Sequence, residues 1–544
     1  MSSIKLLTSR LDISSITLTK LGGAAAWGGG GGVRLVGLAL VALTGLSLTT
    51  CVAQVTMTVG PNVNITKRLE NNSETCIAIN PLNPANLFAG DTWADAYRYS
   101  MDGGITWHNC NMGVLDVVDG DVAATFDSFG NLFLTQFGNY IDGCIQVGLS
   151  TNGGAAFSLL YQTTSGTNDQ PKVATGPSGV AGQGSVWIVY TTVDSRNAAQ
   201  GATVTGLGVV GSFSAAETTS INGDFGDIAV GPNGQVLISY ENPNATVPPY
   251  NLRVNLDPDG LGTNLLQTRV NVTTTQVGPF QPIPAQPHRD IDAEPKLAWD
   301  RSGGPHNGRV YLSYTDAPSI NSNDTDVYVR YSDNNGTNWS NAVRVNDDPP
   351  GNGKSQFLPH IALDQTTGNI AVSFYDCRNS PSNNTAEVWA TVSTDGGQTF
   401  LPNVKVSAGV SSAVVPAISA GTNQFDFGDY SGICFHAGTF YPCWADNSNS
   451  TGDNPWGAGS NFNLYTARVT VIPPLVMVNS RRINSTFHVS VQTVAMKTYY
   501  LQSTASLSNP VWSSLTSVPG DGSVKELVDT NSISPQAFYR VKAQ

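Results

Sequence analysis

Charge is scarce in this sequence. Only 12% of the 544 residues are Asp, Glu, Lys or Arg, against about 25% in an ordinary soluble domain. The charges are also unbalanced, because 27 basic residues face 40 acidic ones and leave a net charge of −13. Nucleic-acid affinity comes mainly from basic groups that displace counterions from phosphates. The sequence therefore excludes nucleic acid as a partner.

Long apolar runs are missing beyond the N-terminus. The stretch 35–50 follows scattered basic residues and is shorter than the roughly 20 apolar residues that a membrane span requires. It predicts a signal peptide over 1–53, and hence a secreted, cell-surface or periplasmic protein with no membrane span. Leu48–Cys51 also loosely resembles a lipoprotein box, which leaves lipid anchoring at Cys51 as an alternative.

Histidine and cysteine are sparse as well. The six histidines show no H-x-x-H spacing, so no transition-metal site is predicted. Of seven cysteines, one is Cys51, and the six that remain form an even number, which permits disulfides in an exported chain. Cys434 with Cys443, and Cys76 with Cys110, are the expected pairs, and buried free thiols are the alternative.

Turn-forming and apolar residues, by contrast, are plentiful. With 56 Gly, 30 Pro and 40% hydrophobic residues, the composition favours an all-β protein with many short strands. A pattern of strand, turn and strand recurs seven times, at 76–93, 122–138, 173–192, 228–241, 297–316, 361–376 and 433–446. Repeated hairpins that bury both faces against neighbours are typical of β-propellers. We predict a β-propeller over 54–472, with seven blades favoured and six as the alternative.

A second repeated motif has the form S-x-D-x-G-x-T followed by Trp or Phe. The pattern predicts a tight turn, because Asp accepts backbone hydrogen bonds, Gly supplies a positive φ and the aromatic ring anchors the turn. Degraded copies carry Asn152 and Asn334 in the Asp position. The two complete copies contain Ser100, Asp102, Gly104 and Trp107, and Ser393, Asp395, Gly397 and Phe400.

This motif resembles the Asp-box of the sialidase-like superfamily and of other BNR-repeat propellers, over roughly residues 60–470. The resemblance implies that the motif is a structural turn at the blade periphery, remote from the active site. It further implies a secreted glycoside hydrolase of the exo-alpha-sialidase type that acts on an extracellular glycan or glycoprotein. The alternative within the superfamily is a non-catalytic propeller that binds carbohydrate or protein.

Carboxylates are enriched just before the first strand of each repeat, which is where ligands meet the axis of a propeller. Such a ring can hold Ca²⁺ through oxygen ligands, supply acid and base groups, or cap backbone N–H groups. No other cofactor is required. Alignment of the repeats places at one position Glu74, Asp119, Gln170, Phe225, Glu294, Leu358 and Tyr430, with Asp121, Asp227, Asp292 and Asp429 nearby.

The resemblance to sialidases implies specific roles for some of these residues. It implies an arginine clamp on the substrate carboxylate, a Tyr nucleophile activated by Glu, and an Asp acid. Under this hypothesis Tyr430→Phe abolishes turnover and leaves the melting temperature nearly unchanged. The Arg-Ile-Pro signature of sialidases is absent. The candidates are Arg98, Arg289 and Arg378 for the clamp, Tyr430 with Glu294 or Glu74 for the nucleophile pair, and Asp121 or Asp292 for the acid.

The composition changes after Pro473-Pro474, where the repeats stop. Alternating apolar runs between turn residues over 475–544 predict a small β-sandwich. The strings around 500–507 and 538–541 resemble a C-terminal module of exported proteins from Verrucomicrobia-like bacteria. That resemblance implies an accessory or surface-attachment domain.

Overall fold

The computed structural model describes residues 55–92, 96–115, 120–138, 143–164, 166, 168–242, 248–414, 426–459, 461–494, 497–532 and 537–544. All the regular elements in these ranges are β-strands, so the all-β prediction is confirmed. Within the same ranges, no helix has the length and apolar character needed to span a bilayer. The predicted signal peptide over 1–53, including Cys51, lies outside the described residues.

The chain divides into two compact units, one from Met57 to Val471 and one that includes Ile472–Gln544. The larger unit contains seven sheets of four or five strands, numbered here 1 to 7. Strand β1 (Thr56–Asn64) is the first described strand and lies at the edge of sheet 7.

Sheet 1 consists of β2 (Cys76–Ile79), β3 (Leu87–Gly90), β4 (Arg98–Ser100) and β5 (His108–Asn109). Sheet 2 consists of β6 (Val122–Phe126), β7 (Leu132–Phe137), β8 (Ile145–Ser150) and β9 (Ser158–Gln162). Sheet 3 consists of β10 (Asp169–Pro177), β11 (Gly184–Thr191), β12 (Arg196–Gly206), β13 (Val209–Val210) and β14 (Glu217–Asn222). Sheet 4 and the hairpin after it consist of β15 (Asp224–Val230), β16 (Val236–Glu241), β17 (Tyr250–Asp257) and β18 (Val270–Thr275), then β19 (Gln281–Ile283) and β20 (Gln286–Ile291). Sheet 5 consists of β21 (Lys296–Trp299), β22 (Val310–Asp316), β23 (Asp326–Ser332) and β24 (Val343–Arg344). Sheet 6 consists of β25 (Gln356–Leu363), β26 (Ile370–Asp376), β27 (Glu387–Ser393) and β28 (Val404–Lys405). Sheet 7 consists of β29 (Gly432–His436), β30 (Thr439–Asp446) and β31 (Asn463–Ile472) together with β1.

The first strands of the seven sheets form a ring. Each contacts the first strand of the next sheet, from β2 through β6, β10, β15, β21 and β25 to β29. β29 in turn contacts β2, so the series returns to its start. We call these seven strands the inner ring. β1 pairs with β31, which covers the outer edge of sheet 7 with a strand from the other end of the unit.

The period-two pattern of the strands explains how both faces of a sheet are buried. In β22, Val310, Leu312 and Tyr314 pack against sheet 4, whereas Tyr311 between them packs against sheet 6. Alternate side chains of a strand point to opposite faces. Burial of each such side chain contributes about 1.5–3 kcal/mol, so the apolar alternation stabilises the contacts on both faces of the sheet.

The expected disulfides are not formed, because all six cysteines in the described residues are free thiols. In sheet 7, Cys434 lies opposite Tyr441 while Cys443 lies opposite Gly432. The two thiols are therefore staggered across the hairpin instead of facing each other. Burial raises the pKa of every one of these thiols that shows a shift, that of Cys110 to about 12. The alternative of buried free thiols describes the structure.

The S-x-D-x-G turns connect the third and fourth strands of sheets 1, 2, 5 and 6. In the first, Ser100 Oγ donates to Asp102 Oδ1 at 2.8 Å, and the N–H of Thr106 donates to the same oxygen at 2.9 Å. Gly104 has a φ of 84°, a conformation that a side chain disfavours. Trp107 Nε1 closes the turn by donating to the Gly104 carbonyl at 3.1 Å. Asp395 accepts the same bonds in sheet 6.

The smaller unit contains two three-stranded sheets that share one apolar core. Phe487 and Leu527 of one sheet pack with Leu501 and Tyr539 of the other. The strands of the two sheets are β32 (Met477–Ile483), β33 (Thr486–Gln492) and β36 (Val524–Asp529), and β34 (Thr498–Thr504), β35 (Ser513–Pro519) and β37 (Phe538–Ala543).

Candidate functional site

An unusual backbone conformation recurs where the inner-ring strands begin. At five of the seven positions that the repeats align, a residue other than glycine has a positive φ: Glu74 (54°), Gln170 (46°), Phe225 (54°), Glu294 (49°) and Leu358 (49°). Asp119 lies outside the described residues. Each such residue costs about 1–2 kcal/mol relative to an ordinary conformation, and backbone strain of this kind concentrates at functional sites. We call this end of the inner ring the mouth.

A hydrogen-bonded group at the mouth joins three sheets. The hydroxyl of Tyr430 accepts a bond from the backbone N–H of Val122 at 2.9 Å, and the Asp121 carboxyl lies close enough to raise its pKa. Asp121 is hydrogen bonded in turn to the Asp169 side chain and accepts from the N–H of Gln170 at 3.2 Å. One carboxyl group thus links a buried phenol to a second carboxyl.

The environment of this group shifts two of its pKa values. Asp169 is exposed to solvent, yet protein atoms around it remove enough water, together with the neighbouring Asp121 carboxylate, to raise its pKa to about 8. Tyr430 is only 3% exposed. Burial, followed by the charges of Asp121 and Glu74, raises the pKa of Tyr430 well above its usual range.

Two lysines lie directly beneath the mouth. Lys172 Nζ lies 3.6 Å from the centre of the Tyr430 ring, and Lys296 Nζ lies 5.6 Å from it. Lys296 forms an ion pair with Glu294, and the side chains of both are 1% exposed. Glu294 holds the pKa of Lys296 above its usual value in spite of burial, whereas burial and Lys296 lower the pKa of Lys172.

The hairpin β19–β20 brings one arginine to the mouth. Arg289 Nε donates to Asp429 Oδ1 at 2.6 Å, and its Nη2 lies 3.4 Å from Glu74 Oε1. Glu74 also accepts from Thr92 Oγ1 at 2.8 Å. Burial, with Asp429 and Asp121 beside it, raises the pKa of Glu74 well above its usual range. The side chain of Arg289 remains 30% exposed, with its guanidinium bonded to Asp429.

The structure thus brings together Tyr430, Glu294, Asp121, Arg289 and Glu74, but it places the other two predicted arginines elsewhere. Arg98 lies on β4, the third strand of sheet 1, and donates to the carbonyl of Tyr97 at 3.0 Å.

Arg378 follows the second strand of sheet 6. Its Nε donates to Asp376 at 2.7 Å and its Nη1 to Asp347 at 2.6 Å, while the guanidinium carbon lies 4.1 Å from the centre of the Trp389 ring. These bonds hold the Arg378 guanidinium against sheet 6 and its loops. A three-arginine clamp of Arg98, Arg289 and Arg378 is not assembled.

The partner of Tyr430 also differs from the prediction. Glu294 pairs with Lys296 and Glu74 bonds to Thr92, and the carboxyl group with the largest effect on the pKa of Tyr430 is that of Asp121. Asp292, the second candidate acid, accepts from the N–H of Phe280 at 2.8 Å. Burial, then the nearby Glu241 and Asp429, raises its pKa well above the usual range.

Asp169, Lys172 and Lys296 are not among the residues that the sequence predicts, although the repeats contain a signal for the two lysines. Lys172 and Lys296 both lie two positions after the aligned residue, in Gln170-Pro-Lys172 and Glu294-Pro-Lys296. His360 occupies the same place in sheet 6, and burial together with Lys296 lowers its pKa to about 4. Alternate residues share a face of a strand, so this second position also belongs to the mouth.

Metal binding receives no geometric support from these residues. Among the part of the chain that the structure describes, no group of three or more His, Cys, Asp or Glu side chains is arranged to hold a metal ion. The carboxyl groups of the mouth are instead bonded to backbone N–H groups, hydroxyls and basic side chains.

Replacing Tyr430 with Phe tests the hydrogen bond between the Tyr430 hydroxyl and the backbone N–H of Val122. The sequence alone suggests a nearly unchanged melting temperature, but removing the hydroxyl leaves the buried Val122 N–H without a partner. We expect a loss of about 1–3 kcal/mol in the free energy of unfolding, measured by urea denaturation. Tyr375→Phe is the matched control, because that buried hydroxyl accepts from the N–H of Ala445 at 2.9 Å. An unchanged stability in Tyr430→Phe contradicts the hydrogen bond.

Comparison with known proteins assigns no family to the chain. No protein-family model matches it, and no curated protein is similar to it in sequence. Solved structures that resemble it include a protein of unknown function from Dyadobacter fermentans (11% identity, TM-score 0.40, covering 76% of this chain and 99% of that one). Others are the BP39L lectin from Burkholderia pseudomallei (11%, 0.46, 75% and 99%) and the GH93 alpha-L-arabinofuranosidase of Fusarium graminearum (13%, 0.38, 62% and 98%). With every one of these TM-scores below 0.5, the likenesses assign neither fold nor function.

Proposed function

We propose that the protein is a secreted glycoside hydrolase that acts on extracellular glycans at the mouth of a seven-bladed β-propeller. The closed series of contacts in the inner ring supports the propeller, with sheets 1 to 7 as its blades. The S-x-D-x-G turns support a propeller of the sialidase-like, Asp-box type. Residues 1–53 are its signal peptide, and the two sheets after Pro474 form a β-sandwich accessory or attachment domain.

The observation that carries the hydrolase proposal is the protonation state of Asp169. With a pKa of about 8, this solvent-accessible carboxyl group is largely protonated at neutral pH. A carboxylic acid kept neutral in this way is what glycoside hydrolysis requires of its general acid. Asp169 donates its proton to the glycosidic oxygen as the bond to the anomeric carbon breaks. Water then adds its hydroxyl to the anomeric carbon, and the proton that this water releases restores the protonated Asp169.

The charge around Asp169 favours the same reaction. Positive charge develops on the sugar ring in the oxocarbenium-like transition state, and negative groups held beside the ring stabilise such charge. Tyr430 is a positioning residue in this scheme, because its raised pKa makes the phenolate unavailable as a nucleophile. Its hydroxyl holds the backbone N–H of Val122, the residue next to Asp121. The carboxyl groups of the mouth are Glu74, Asp121, Asp169, Asp224, Asp227, Glu241, Asp292, Glu294 and Asp429.

These contacts favour a neutral sugar over a sialic acid. A sialoside carboxylate needs cations that are free to pair with it, whereas Arg289 is already bonded to Asp429 and lies close to Glu74. An anionic substrate meets mainly carboxyl groups at the mouth. The exo-alpha-sialidase activity that the motif implies is therefore the second candidate.

The test is a screen of the purified full chain against aryl glycosides of neutral sugars and against aryl sialosides. We expect release of the aryl group from at least one neutral glycoside and none from the sialosides. Hydrolysis of sialosides alone favours the second candidate. If no glycoside is cleaved but the protein is retained on a glycan array, it is a carbohydrate-binding propeller and the hydrolase proposal fails.

A further inference from the structure

A cavity of about 720 Å³ lies at the end of the inner ring remote from the mouth. All seven inner-ring strands contribute to its wall through their later residues. Its volume falls within the range of about 300–1,000 Å³ that is typical of small-molecule sites. The wall presents apolar and polar surface in nearly equal parts, and its apolar side chains include Ile79, Phe126, Val173, Val230, Leu363 and Phe435.

Among the described residues, one guanidinium, that of Arg301, borders this cavity. Its Nη1 donates to the carbonyl of Val230 at 2.6 Å. The turn that carries it is held by sheet 6, because the N–H of Arg301 donates to Gln365 Oε1 at 2.8 Å and Gln365 Nε2 donates to the Trp299 carbonyl at 2.9 Å. The guanidinium is thus positioned by a neighbouring sheet.

This guanidinium has no counter-ion. Among the described residues, no carboxylate oxygen lies within 4 Å of it. Burial lowers the pKa of Arg301 to about 10, although Asp300 opposes the shift, so the group stays charged at neutral pH. Arg301 is half-buried, and a charge that is partly removed from water is normally paired.

The carboxylates nearest to this end of the ring are committed to their own turns. Asp300 accepts from the N–H of Ser302 at 2.8 Å. Asp127, which borders the cavity, accepts from the N–H groups of Phe129 and Asn131 at 2.8 and 2.9 Å. His436, also in the wall, is kept neutral because burial lowers its pKa. The charged group of this cavity that a ligand can pair with is therefore a cation, the Arg301 guanidinium.

We propose that this cavity binds a small carboxylate with an apolar, ring-sized body. The carboxylate pairs with the fork of Arg301, a geometry in which two parallel hydrogen bonds form, and the apolar body lies against the side chains of the inner ring. The site is separate from the mouth and does not depend on the reaction that takes place there.

The test titrates the full chain with 2-naphthoate and with the neutral 2-naphthamide, followed by calorimetry. We expect the carboxylate to bind at least tenfold more tightly than the amide. Arg301→Gln is expected to remove this preference and Arg301→Lys to retain part of it. Arg309→Gln is the matched control, because that guanidinium already pairs with Asp333 at 2.7 Å.

A second variant tests the place of binding. Ala362 lines the cavity, and Ala362→Phe fills it, so both ligands are expected to lose their affinity. Equal affinity of wild type for the two ligands, or no binding of either, overturns the proposal. So does full naphthoate affinity in Arg301→Gln or in Ala362→Phe. Because wild type alone distinguishes acid from amide, the test does not depend on a variant that folds.

Discussion

We expect Asp169→Asn to lower kcat/KM on the neutral glycoside identified by the screen by about 10²–10⁴-fold, the usual contribution of a general acid. Asn keeps the shape of the side chain but has no proton of suitable acidity to give. In wild type, kcat/KM is expected to fall as the pH rises through about 8, because Asp169 then loses its proton. In Asp169→Asn that alkaline limb disappears. Initial rates measured across pH for both proteins check the prediction.

The stability of this variant separates a catalytic from a structural role. A carboxyl group whose pKa is higher in the folded than in the unfolded protein destabilises the fold once the pH exceeds its unfolded value of about 3.9. This penalty grows until the pH reaches about 8. Asn carries no charge, so we expect Asp169→Asn to be at least as stable as wild type at pH 7 to 8. A variant that loses activity because it unfolds contradicts the assignment.

Asp257→Asn is the matched control for this experiment. Asp257 also has a raised pKa, about 7, because of burial and then of Glu217. It lies at the end of the third strand of sheet 4 and accepts from the N–H of Gly260 at 2.9 Å. Normal activity in this variant shows that a raised pKa alone does not make a catalytic acid. Loss of activity there as well undermines the choice of Asp169.

The repeats in the sequence predict the backbone of the mouth well because they are local patterns. The alignment that equates Glu74 with Gln170, Phe225, Glu294 and Leu358 groups residues that all have a positive φ in the structure. Each repeat has the same kind of turn-forming residues and the same period-two alternation of apolar side chains. The positions that enter the mouth could therefore be found by counting along the chain.

Side-chain partners at the mouth were not predictable in the same way. Arg289 meets Asp429 and Asp121 meets Tyr430 across more than a hundred residues of chain, and no spacing in the sequence records such pairs. Arg378 was chosen as a clamp residue for its charge alone. In the structure its guanidinium pairs with Asp376 at 2.7 Å instead.

The second large effect concerns the buried ion pair beneath the mouth. We expect Lys296→Met to lower the free energy of unfolding by about 3–5 kcal/mol, because it leaves the Glu294 carboxylate buried without its partner. Both side chains are 1% exposed, so water cannot replace the ammonium. Urea denaturation at pH 7 checks the value. The double variant Lys296→Met with Glu294→Gln should recover much of the loss, since no charge is then stranded.

Lys172→Met supplies the matched control, because Lys172 is also buried and lies over the same Tyr430 ring. No carboxylate among the described residues pairs with it within 4 Å, and its pKa is lowered by burial and by Lys296. A lysine whose pKa falls on folding destabilises the fold at pH 7. Its replacement by an apolar side chain should therefore leave the stability unchanged or raise it, apart from the lost contact with the ring. Equal losses in Lys172→Met and Lys296→Met would mean that both ammonium groups are held alike, which contradicts a pair formed by Glu294 and Lys296 alone.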